Sequence, residues 1–132
     1  MVKIIDGTDA TMGRLASYVA KEALKGEELV ILNCDKVIIT GNKENILGEF
    51  LEKRGRVGSG QLGPKVSRLS YKIVKRAVRG MLPHRSARGK NALKRVICHN
   101  KVPKEFEGKK MIRAGKEKPI KYITVGDIPK WV

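Results

Sequence analysis

Two short apolar runs, close together near the start of the chain, limit the folds that it can adopt. The first is LVILN at residues 29–33 and the second is KVIIT at residues 36–40. Continuous apolar runs of this length are typical of strands that are covered on both faces, as in a parallel sheet packed between other layers. The three residues CDK between the runs are too few for a crossover helix. The sequence therefore leaves open a hairpin or one strand with a jog.

The segments around these runs predict an α/β fold. VKIIDG at residues 2–7 is typical of a short buried strand. In residues 8–26, apolar side chains recur with the i, i+3, i+4, i+7 spacing of an amphipathic helix, and Gly26 is placed to end it. A second helix is expected after Gly41-Asn42, with apolar residues at Ile46, Leu47, Phe50 and Leu51. Strand, helix, strand, strand, helix is the order of an α/β protein with a layered core.

The second half of the chain carries weaker patterns. Helical periodicity resumes from Arg68 to about Leu82, and RVICH at residues 95–99 is typical of a further buried strand. In the tail, KYITVGDI at residues 121–128 predicts a short strand. With 132 residues and a hydrophobic content of 41%, the chain is long enough for a single domain spanning residues 1–132 with its own core.

The cysteines and the N-terminus bear on the compartment. Cys34 and Cys98 are far apart in the sequence, so we interpret them as two small apolar side chains in a reducing compartment. No apolar stretch approaches the ~20 residues of a membrane span. The N-terminal MVKIIDGTDA lacks the apolar run of a signal peptide. We therefore expect a cytoplasmic protein with no membrane partner.

The net charge of +16 is concentrated in one part of the chain. Residues 53–104, which we call the acid-free segment, hold 16 Lys and Arg and no Asp or Glu. The other 13 basic residues are balanced by 13 acidic ones. An evenly spread excess would serve solubility, whereas a segregated excess produces a directed positive field that favours a polyanionic partner. The segment includes a glycine-rich loop, GRVGSGQLGP, at residues 55–64.

One face of the predicted helix at residues 68–82 is strongly basic. At 100° per residue, five cations lie within about 100° of one another and six apolar residues lie on the opposite side. The cations are Arg68, Lys72, Lys75, Arg76 and Arg79, and the apolar residues are Leu69, Ile73, Val74, Ala77, Val78 and Met81. A charged helix face is usually just solvated, but such faces interleave Glu with Lys because like charges repel. Since no carboxylate is available here, we expect this face to bind an anion.

The helix is predicted to end in a turn that adds further cations. Gly80 and Pro83 bracket the end, because proline lacks a backbone donor and disfavours helix in the residue before it. A turn stapled by the apolar residues 81–83 would hold Arg85 and Arg88 beside the basic face. The full set of residues expected to bind the polyanion is Lys53, Arg54, Arg56, Lys65, Arg68, Lys72, Lys75, Arg76, Arg79, His84, Arg85, Arg88, Lys90, Lys94 and Arg95.

The residue types in the acid-free segment indicate how it would hold a polyanion. Its only aromatic residue is Tyr71, whereas single-strand binders stack bases on several aromatics. Arginine forks and lysine charges suit the sugar–phosphate backbone and the folded shape of a nucleic acid. These residues do not distinguish RNA from DNA. His84 either donates to a phosphate or caps the turn.

Other candidate sites are weaker. GSGQLG at residues 58–63 has GxGxxG spacing, but charged residues precede it and no acid follows before Glu105, so we do not interpret it as a dinucleotide site. The cysteines and histidines lack metal-ligand spacing, no catalytic triad stands out, and no metal or cofactor is expected. Thr40-Gly41-Asn42 would suit a phosphate at a helix N-terminus, although a plain helix start is the simpler interpretation.

Several short motifs resemble one known family. The chain resembles the large-subunit ribosomal proteins of the family numbered thirteen from about Ile4 to Pro103, and its short length resembles archaeal members. The motifs that carry the resemblance are GRLAS (13–17), VAK (19–21), VILN (30–33), ITG (39–41), RGMLPH (79–84) and RG (88–89).

The resemblance implies both a fold and a function. It implies a three-layer α/β/α domain with a mostly parallel four-stranded sheet. It also implies a non-enzymatic protein of the large ribosomal subunit that binds large-subunit ribosomal RNA early in assembly, beside other ribosomal proteins. By this resemblance Arg79, His84 and Arg88 contact the RNA. We expect a monomer outside the ribosome and no small-molecule substrate.

Two other functional classes are compatible with a basic α/β chain. The first is a nucleotide-using enzyme with a nucleic-acid substrate, for which the acid-free segment offers only His84 and His99 as acid or base. The second is a DNA-architectural protein, which only the family resemblance disfavours.

Overall fold

The structure is a computed structural model that describes residues 2–56, 66–116 and 120–131. In chain order the strands are β1 (Val2–Asp6), β2 (Glu28–Leu32), β3 (Ile38–Thr40), β4 (Val96–Cys98), β5 (Ile112–Arg113) and β6 (Tyr122–Thr124). The helices are α1 (Met12–Leu24), α2 (Lys43–Gly55), α3 (Ser70–Gly80), α4 (Ala87–Lys94) and α5 (Ile128–Trp131). Nearly all of the predicted glycine-rich loop lies outside the described residues.

Four of the strands form a parallel sheet in the order β4-β2-β1-β5. Ile5 of β1 lies opposite Ile31 of β2, and Ile31 lies opposite Cys98 of β4. Four of the five residues of β2 are buried, as the continuous apolar run predicts for a strand covered on both faces.

The helices cover one face of this sheet. Ile5, Leu29 and Ile31 belong to a core cluster that also holds the buried residues of α1, α3 and α4. In α1 these are Leu15, Ala16, Val19, Ala20 and Ala23. The small side chains of Ala16 and Ala20, four residues apart, let α1 lie close to the sheet and to α3 and α4.

The opposite face of the sheet carries a thinner layer. Ile4, Val30 and Leu32 form a second cluster, against which Val102, Phe106 and Met111 pack. The 3-10 turn Lys104–Phe106 lies in this layer. The predicted fold class, three-layer α/β/α with a mostly parallel four-stranded sheet, is confirmed.

The connection between the two apolar runs is not a hairpin. After β2, Asn33 adopts the left-handed region at φ 57° and Cys34–Lys36 form a 3-10 turn that carries the chain out of the sheet. Strand β3 then pairs antiparallel with β6, with Ile39 opposite Ile123. The turn of three residues that separates the runs therefore sends them into two different sheets.

Some elements of the second half differ from the sequence expectations. Helix α2 is present, but its described side chains are at most partly buried, and Leu51 is half exposed. Helix α4 and the two-residue β5 were not predicted. The strands predicted at residues 95–99 and in the tail are confirmed as β4 and β6. Among the described residues, no helix is long and apolar enough to cross a membrane.

A nearly buried carboxylate ties β1 to the end of α1. Glu22, whose side chain is 10% exposed, accepts hydrogen bonds from Lys3 at 2.5 Å and Lys25 at 3.1 Å. The hydrogen bond from Lys3, and then that from Lys25, lowers the pKa of Glu22 against the opposing effect of burial.

A second carboxylate organises the carboxyl end of β1. Asp6 accepts hydrogen bonds from the Thr8 hydroxyl at 2.7 Å, the Thr8 amide at 3.0 Å and the Asn33 side chain at 3.0 Å. Burial acts to raise the pKa of Asp6, but these hydrogen bonds outweigh it, so the pKa is lowered. They also hold the left-handed Asn33 in place.

We expect stability to fall in acid, in part through Glu22. Its folded-state pKa lies below its unfolded value, so its contribution is complete above the ordinary glutamate pKa of about 4.3 and is lost as the pH falls through the folded-state pKa. Glu22→Gln should lower the free energy of unfolding at pH 7, and the deficit should shrink towards pH 2. Urea unfolding from pH 7 to pH 2 measures this.

The matched control is Glu105→Gln, at an exposed position, which should follow the wild-type profile. If the Glu22→Gln and wild-type curves stay parallel down to pH 2, Glu22 is not a source of the acid sensitivity.

Candidate nucleic-acid interface

Helix α3 separates apolar from charged side chains. Ile73, Val74 and Val78 are buried, whereas Lys72, Arg76 and Arg79 are exposed and Lys75 is half-buried. The helix is shorter than the predicted 68–82. The expectation that Leu69 and Met81 belong to the apolar face is wrong: they flank the helix as its terminal caps and are 43% and 46% exposed.

The first turn of α3 is fixed by a residue from a distant part of the chain. Leu69 precedes the helix and cannot cap it with a side-chain oxygen. Instead the Asn100 side-chain oxygen accepts a hydrogen bond from the Tyr71 amide at 2.9 Å. One of the unsatisfied amides of the helix start is thereby paired. This contact anchors the basic helix to the loop that follows β4.

The cations of α3 border a groove of about 300 Å³ with an apolar floor. The floor includes Phe50 of α2, Ile73 of α3 and Leu93 of α4, and the cations at its border are Lys72, Lys75, Arg76 and Arg79. An adjoining cavity of about 290 Å³ shares Phe50, Ile73 and Arg76 and adds Lys53 together with Glu49. The fold therefore collects five of the predicted cations, from α2 and α3, around one depression.

A tight turn joins α3 to α4. The His84 amide donates to the Leu82 carbonyl at 2.8 Å, and the Ser86 amide donates to the Pro83 carbonyl at 3.0 Å. The Ser86 hydroxyl donates to the same carbonyl at 2.8 Å and accepts a hydrogen bond from the Gly89 amide at 3.3 Å, which caps α4. Of the predicted apolar staple at residues 81–83, only Leu82 is buried. The backbone hydrogen bonds hold the rest of the turn.

Gly89 allows α4 to lie directly against this turn. A β-carbon at Gly89 would lie 1.9 Å from the Pro83 carbonyl oxygen and 2.8 Å from the His84 amide nitrogen. Any side chain at this buried position would force the turn and the helix apart. The close approach places Arg88, the neighbour of Gly89, beside the turn that carries His84 and Arg85.

The other predicted cations occupy varied positions. Exposed side chains are found at Arg54, Arg85, Arg88, Lys90 and Lys94. Arg56 pairs with Glu52 at 3.3 Å on the exposed end of α2. Arg95 is half-buried, and its Nη1 donates to the Ala23 carbonyl at the end of α1 at 2.9 Å. Arg68 is exposed just before α3, His84 is partly exposed in the turn, and Lys65 lies outside the described residues.

The acid-free segment contributes no carboxylate that could neutralise the cations around the groove. In the parts of the chain that the structure describes, Lys72, Arg76 and Arg79 make no ion pair. Glu49, on α2, is the one carboxylate that lines the adjoining cavity. The positive charges of α3 are therefore available to an external anion.

The structure adds no support for the weaker candidate sites. At Thr40-Gly41-Asn42 the chain turns through Gly41 at φ 128° and α2 begins at Lys43. Within the described residues, no three or more His, Cys, Asp or Glu side chains are grouped as a metal site. The GSGQLG motif falls outside the described residues.

Sequence reasoning missed two residues that position the interface. Asn100 was not singled out, since its partner Tyr71 is 29 residues away. Ser86 follows a proline-containing turn and precedes a helix, which is the position of an N-cap. That local signal was present in the sequence.

Comparison with known proteins gives one consistent match. The family described as Ribosomal protein L13 matches residues 1–105. Proteins named large ribosomal subunit protein uL13 are similar over almost their whole length. The one from Methanosphaera stadtmanae is 39% identical, covering 98% of this chain and 96% of the relative. The one from Methanococcus maripaludis is 40% identical, covering 98% of this chain and 96% of the relative. The one from Picrophilus torridus is 41% identical, covering 96% of this chain and 93% of the relative.

We expect Gly89→Ala to destabilise the protein by about 1–3 kcal/mol, the usual cost of overpacking a close contact. The added methyl group would lie far inside the contact distance of the Pro83 carbonyl. The free energy of unfolding in urea measures the change.

Gly80→Ala is the matched control, because a β-carbon at Gly80 meets no atom within 4 Å. It should be neutral or slightly stabilising, since alanine favours a helix end more than glycine does. Equal stabilities for the two variants would show that the close approach of Gly89 is not required.

Proposed function

The chain belongs to the ribosomal protein L13 family, and from that membership and its basic surface we propose that it binds large-subunit ribosomal RNA through the face formed by α3, α4 and the end of α2. The members compared above are named as proteins of the large ribosomal subunit and not as enzymes, so a nucleotide-using enzyme finds no support. The protein acts as a structural constituent of that subunit.

The observation that carries the proposal is the groove beside α3. Lys72, Arg76 and Arg79 stand at its border without ion pairs among the described residues. Each phosphate that such a cation neutralises releases condensed counterions, and this release drives association. A solvated surface would not require so many like charges around one depression, because their mutual repulsion opposes folding.

The proposed contact set is the one expected from the sequence. Its exposed members on the described surface supply the phosphate contacts, with Arg79 and Arg88 at the two ends of the turn between α3 and α4. Arg95 is the exception: it donates to the Ala23 carbonyl and lines a separate cavity with Ile4 and Phe106, so it lies apart from the groove beside α3. Arg56, paired with Glu52 across exposed side chains, exchanges that partner for a phosphate at small cost.

The mode of binding is recognition of backbone and folded shape. Tyr71, the only aromatic residue of the acid-free segment, lies in the first turn of α3 and is half-buried against the core, so it offers no open platform for base stacking. Guanidinium forks and ammonium groups bind phosphates without reading bases. Specificity would then come from how the RNA folds around the rigid turn.

The proposal includes where and with what the protein acts. The protein enters the large subunit early in assembly, in the cytoplasm, beside neighbouring ribosomal proteins. Outside the ribosome it is a monomer without a small-molecule substrate or a membrane partner. Sedimentation tests this directly: the protein should travel with large subunits in a sucrose gradient and be released by high salt. Free protein alone should sediment as one chain of 14.7 kDa.

We expect binding to large-subunit ribosomal RNA to depend steeply on salt. With 6–10 phosphate contacts, affinity falls about 10³–10⁵-fold between ~50 and ~200 mM salt. Arg79→Ala with Arg88→Ala should weaken binding and reduce the slope of log K against log salt by about 2, because each lost phosphate contact removes about 1. Filter binding or fluorescence anisotropy at several salt concentrations measures both quantities.

Lys21→Ala with Arg113→Ala is the control, since it removes two charges from exposed positions outside the acid-free segment. It should leave the slope almost unchanged. Affinity that is indifferent to salt, or an equal loss in both double variants, would contradict the proposal. Equal competition by duplex DNA and by structured RNA would favour a general nucleic-acid binder instead.

A further inference from the structure

The start of α2 and the strand β6 border a depression that is separate from the groove beside α3. Its volume is about 520 Å³, which is within the ~300–1,000 Å³ of small-ligand sites. Its lining includes Asn42, Glu44 and Asn45 on the α2 side and Lys121 and Tyr122 on the β6 side. The β6 side lies beyond residues 1–105, where the family match ends.

Backbone contacts hold the two sides of this depression together. Thr40 of β3 lies opposite Tyr122 of β6 in the antiparallel pair. The Gly41 amide donates to the Lys121 carbonyl at 3.0 Å, and Gly41, at φ 128°, turns the chain from β3 into α2. The start of α2 is therefore fixed beside Tyr122.

Tyr122 presents an open aromatic ring at this place. It is the most exposed of the aromatic side chains that the structure describes, at 45% against 39% for Tyr18. Its neighbour Ile123 is buried in the core, and the alternation along a strand directs Tyr122 to the other side. Within the described residues its ring makes no aromatic or cation–π contact. Such a ring is a platform on which a nucleobase stacks.

The polar groups of the depression suit a base inside it and a phosphate at its border. Asn42 and Asn45 are exposed, and the Asn42 side chain does not cap α2, so amide donors and acceptors are available to the edge of a base. The Glu44 carboxylate repels a phosphate but accepts a hydrogen bond from the exocyclic amine of a base. Lys121 is exposed and supplies the charge for a phosphate.

We propose that this depression takes one unpaired nucleotide of the ribosomal RNA. Its base stacks on Tyr122, the side chains at the start of α2 contact the edge of the base, and Lys121 meets its phosphate. This inference rests on the proposed function, and it adds a base contact that the acid-free segment does not supply. Reading of RNA sequence relies on unpaired bases of this kind, splayed out of the fold and stacked on aromatic side chains.

Helix α2 connects the depression to the basic surface. Asn42 stands at its start, whereas Phe50 and Lys53 line the groove beside α3 and the adjoining cavity. At 1.5 Å per residue, Lys53 lies about 16 Å along the helix axis from Asn42. A nucleotide near the RNA backbone bound at the groove can therefore reach Tyr122. The groove then supplies salt-dependent affinity, and the depression distinguishes one RNA sequence from another.

The test measures binding to large-subunit ribosomal RNA at several salt concentrations. Tyr122→Ala should weaken binding about 5–150-fold, the cost of losing one stacked base. The slope of log K against log salt should not change, because no charge is removed. Tyr122→Phe keeps the ring and should keep the affinity of the wild type. Lys121→Ala should instead reduce the slope by about 1, as the loss of one phosphate contact does.

Tyr18→Ala is the matched control, because it removes an exposed tyrosine from α1, and it should bind like the wild type. Equal affinities of Tyr122→Ala and Tyr18→Ala, beside weakened binding by Arg79→Ala with Arg88→Ala, would overturn this inference and leave the proposed function standing. A loss in Tyr122→Phe as large as that in Tyr122→Ala would exclude stacking. Wild-type affinity that is indifferent to salt would overturn both proposals.

A second measurement uses only the wild-type protein. Ultraviolet irradiation of its complex with the ribosomal RNA should cross-link a nucleotide to Tyr122, and mass spectrometry of the digested complex should identify the peptide that carries it. If circular dichroism shows that Tyr122→Ala does not fold, this cross-link decides. Cross-links at other residues alone, or none at all, would then overturn the inference.

Discussion

The burial of one face of α3 allows the other face to carry unpaired charge. Ile73, Val74 and Val78 are buried against α1 and the sheet, and each such side chain contributes about 1.5–3 kcal/mol. The neighbouring like charges of the basic face cost only about 0.2–0.5 kcal/mol for each pair one turn apart. The apolar contacts therefore exceed the repulsion, and the helix forms without carboxylates to neutralise it.

Two contacts, one between residues distant in the sequence and one within the turn after the helix, then determine where this helix points. The Asn100 side chain holds its first turn, and the approach of Gly89 to Pro83 holds the turn after its last residue. Both contacts join the basic helix to parts of the chain that follow it, so α3, the turn and α4 behave as one rigid support for the cations. The motif RGMLPH with the later RG thus has a physical basis: the glycine of RG is required by sterics, and the arginines on either side of the turn are required for the proposed contact with RNA.

The sequence predicted what periodicity and charge alone determine. The strand–helix order, the division of α3 into apolar and basic sides, and the turn at Pro83 all follow from local patterns. Helix α4 was missed although Ser86 gives a local N-cap signal, and the close approach of Gly89 to the Pro83 carbonyl is visible only in the folded turn. The sequence also could not show that Arg95 is held by the Ala23 carbonyl, because the two residues are 72 positions apart.

The measurement that tests the central claim most directly is a structure of the large ribosomal subunit that contains this chain. The account predicts that guanidinium nitrogens of Arg76, Arg79 and Arg88 lie about 2.7–2.9 Å from phosphate oxygens of the ribosomal RNA, the distance of a charge-assisted hydrogen bond. It would be contradicted if these arginines faced solvent or protein while the opposite layer, around Val102, Phe106 and Met111, lay against the RNA.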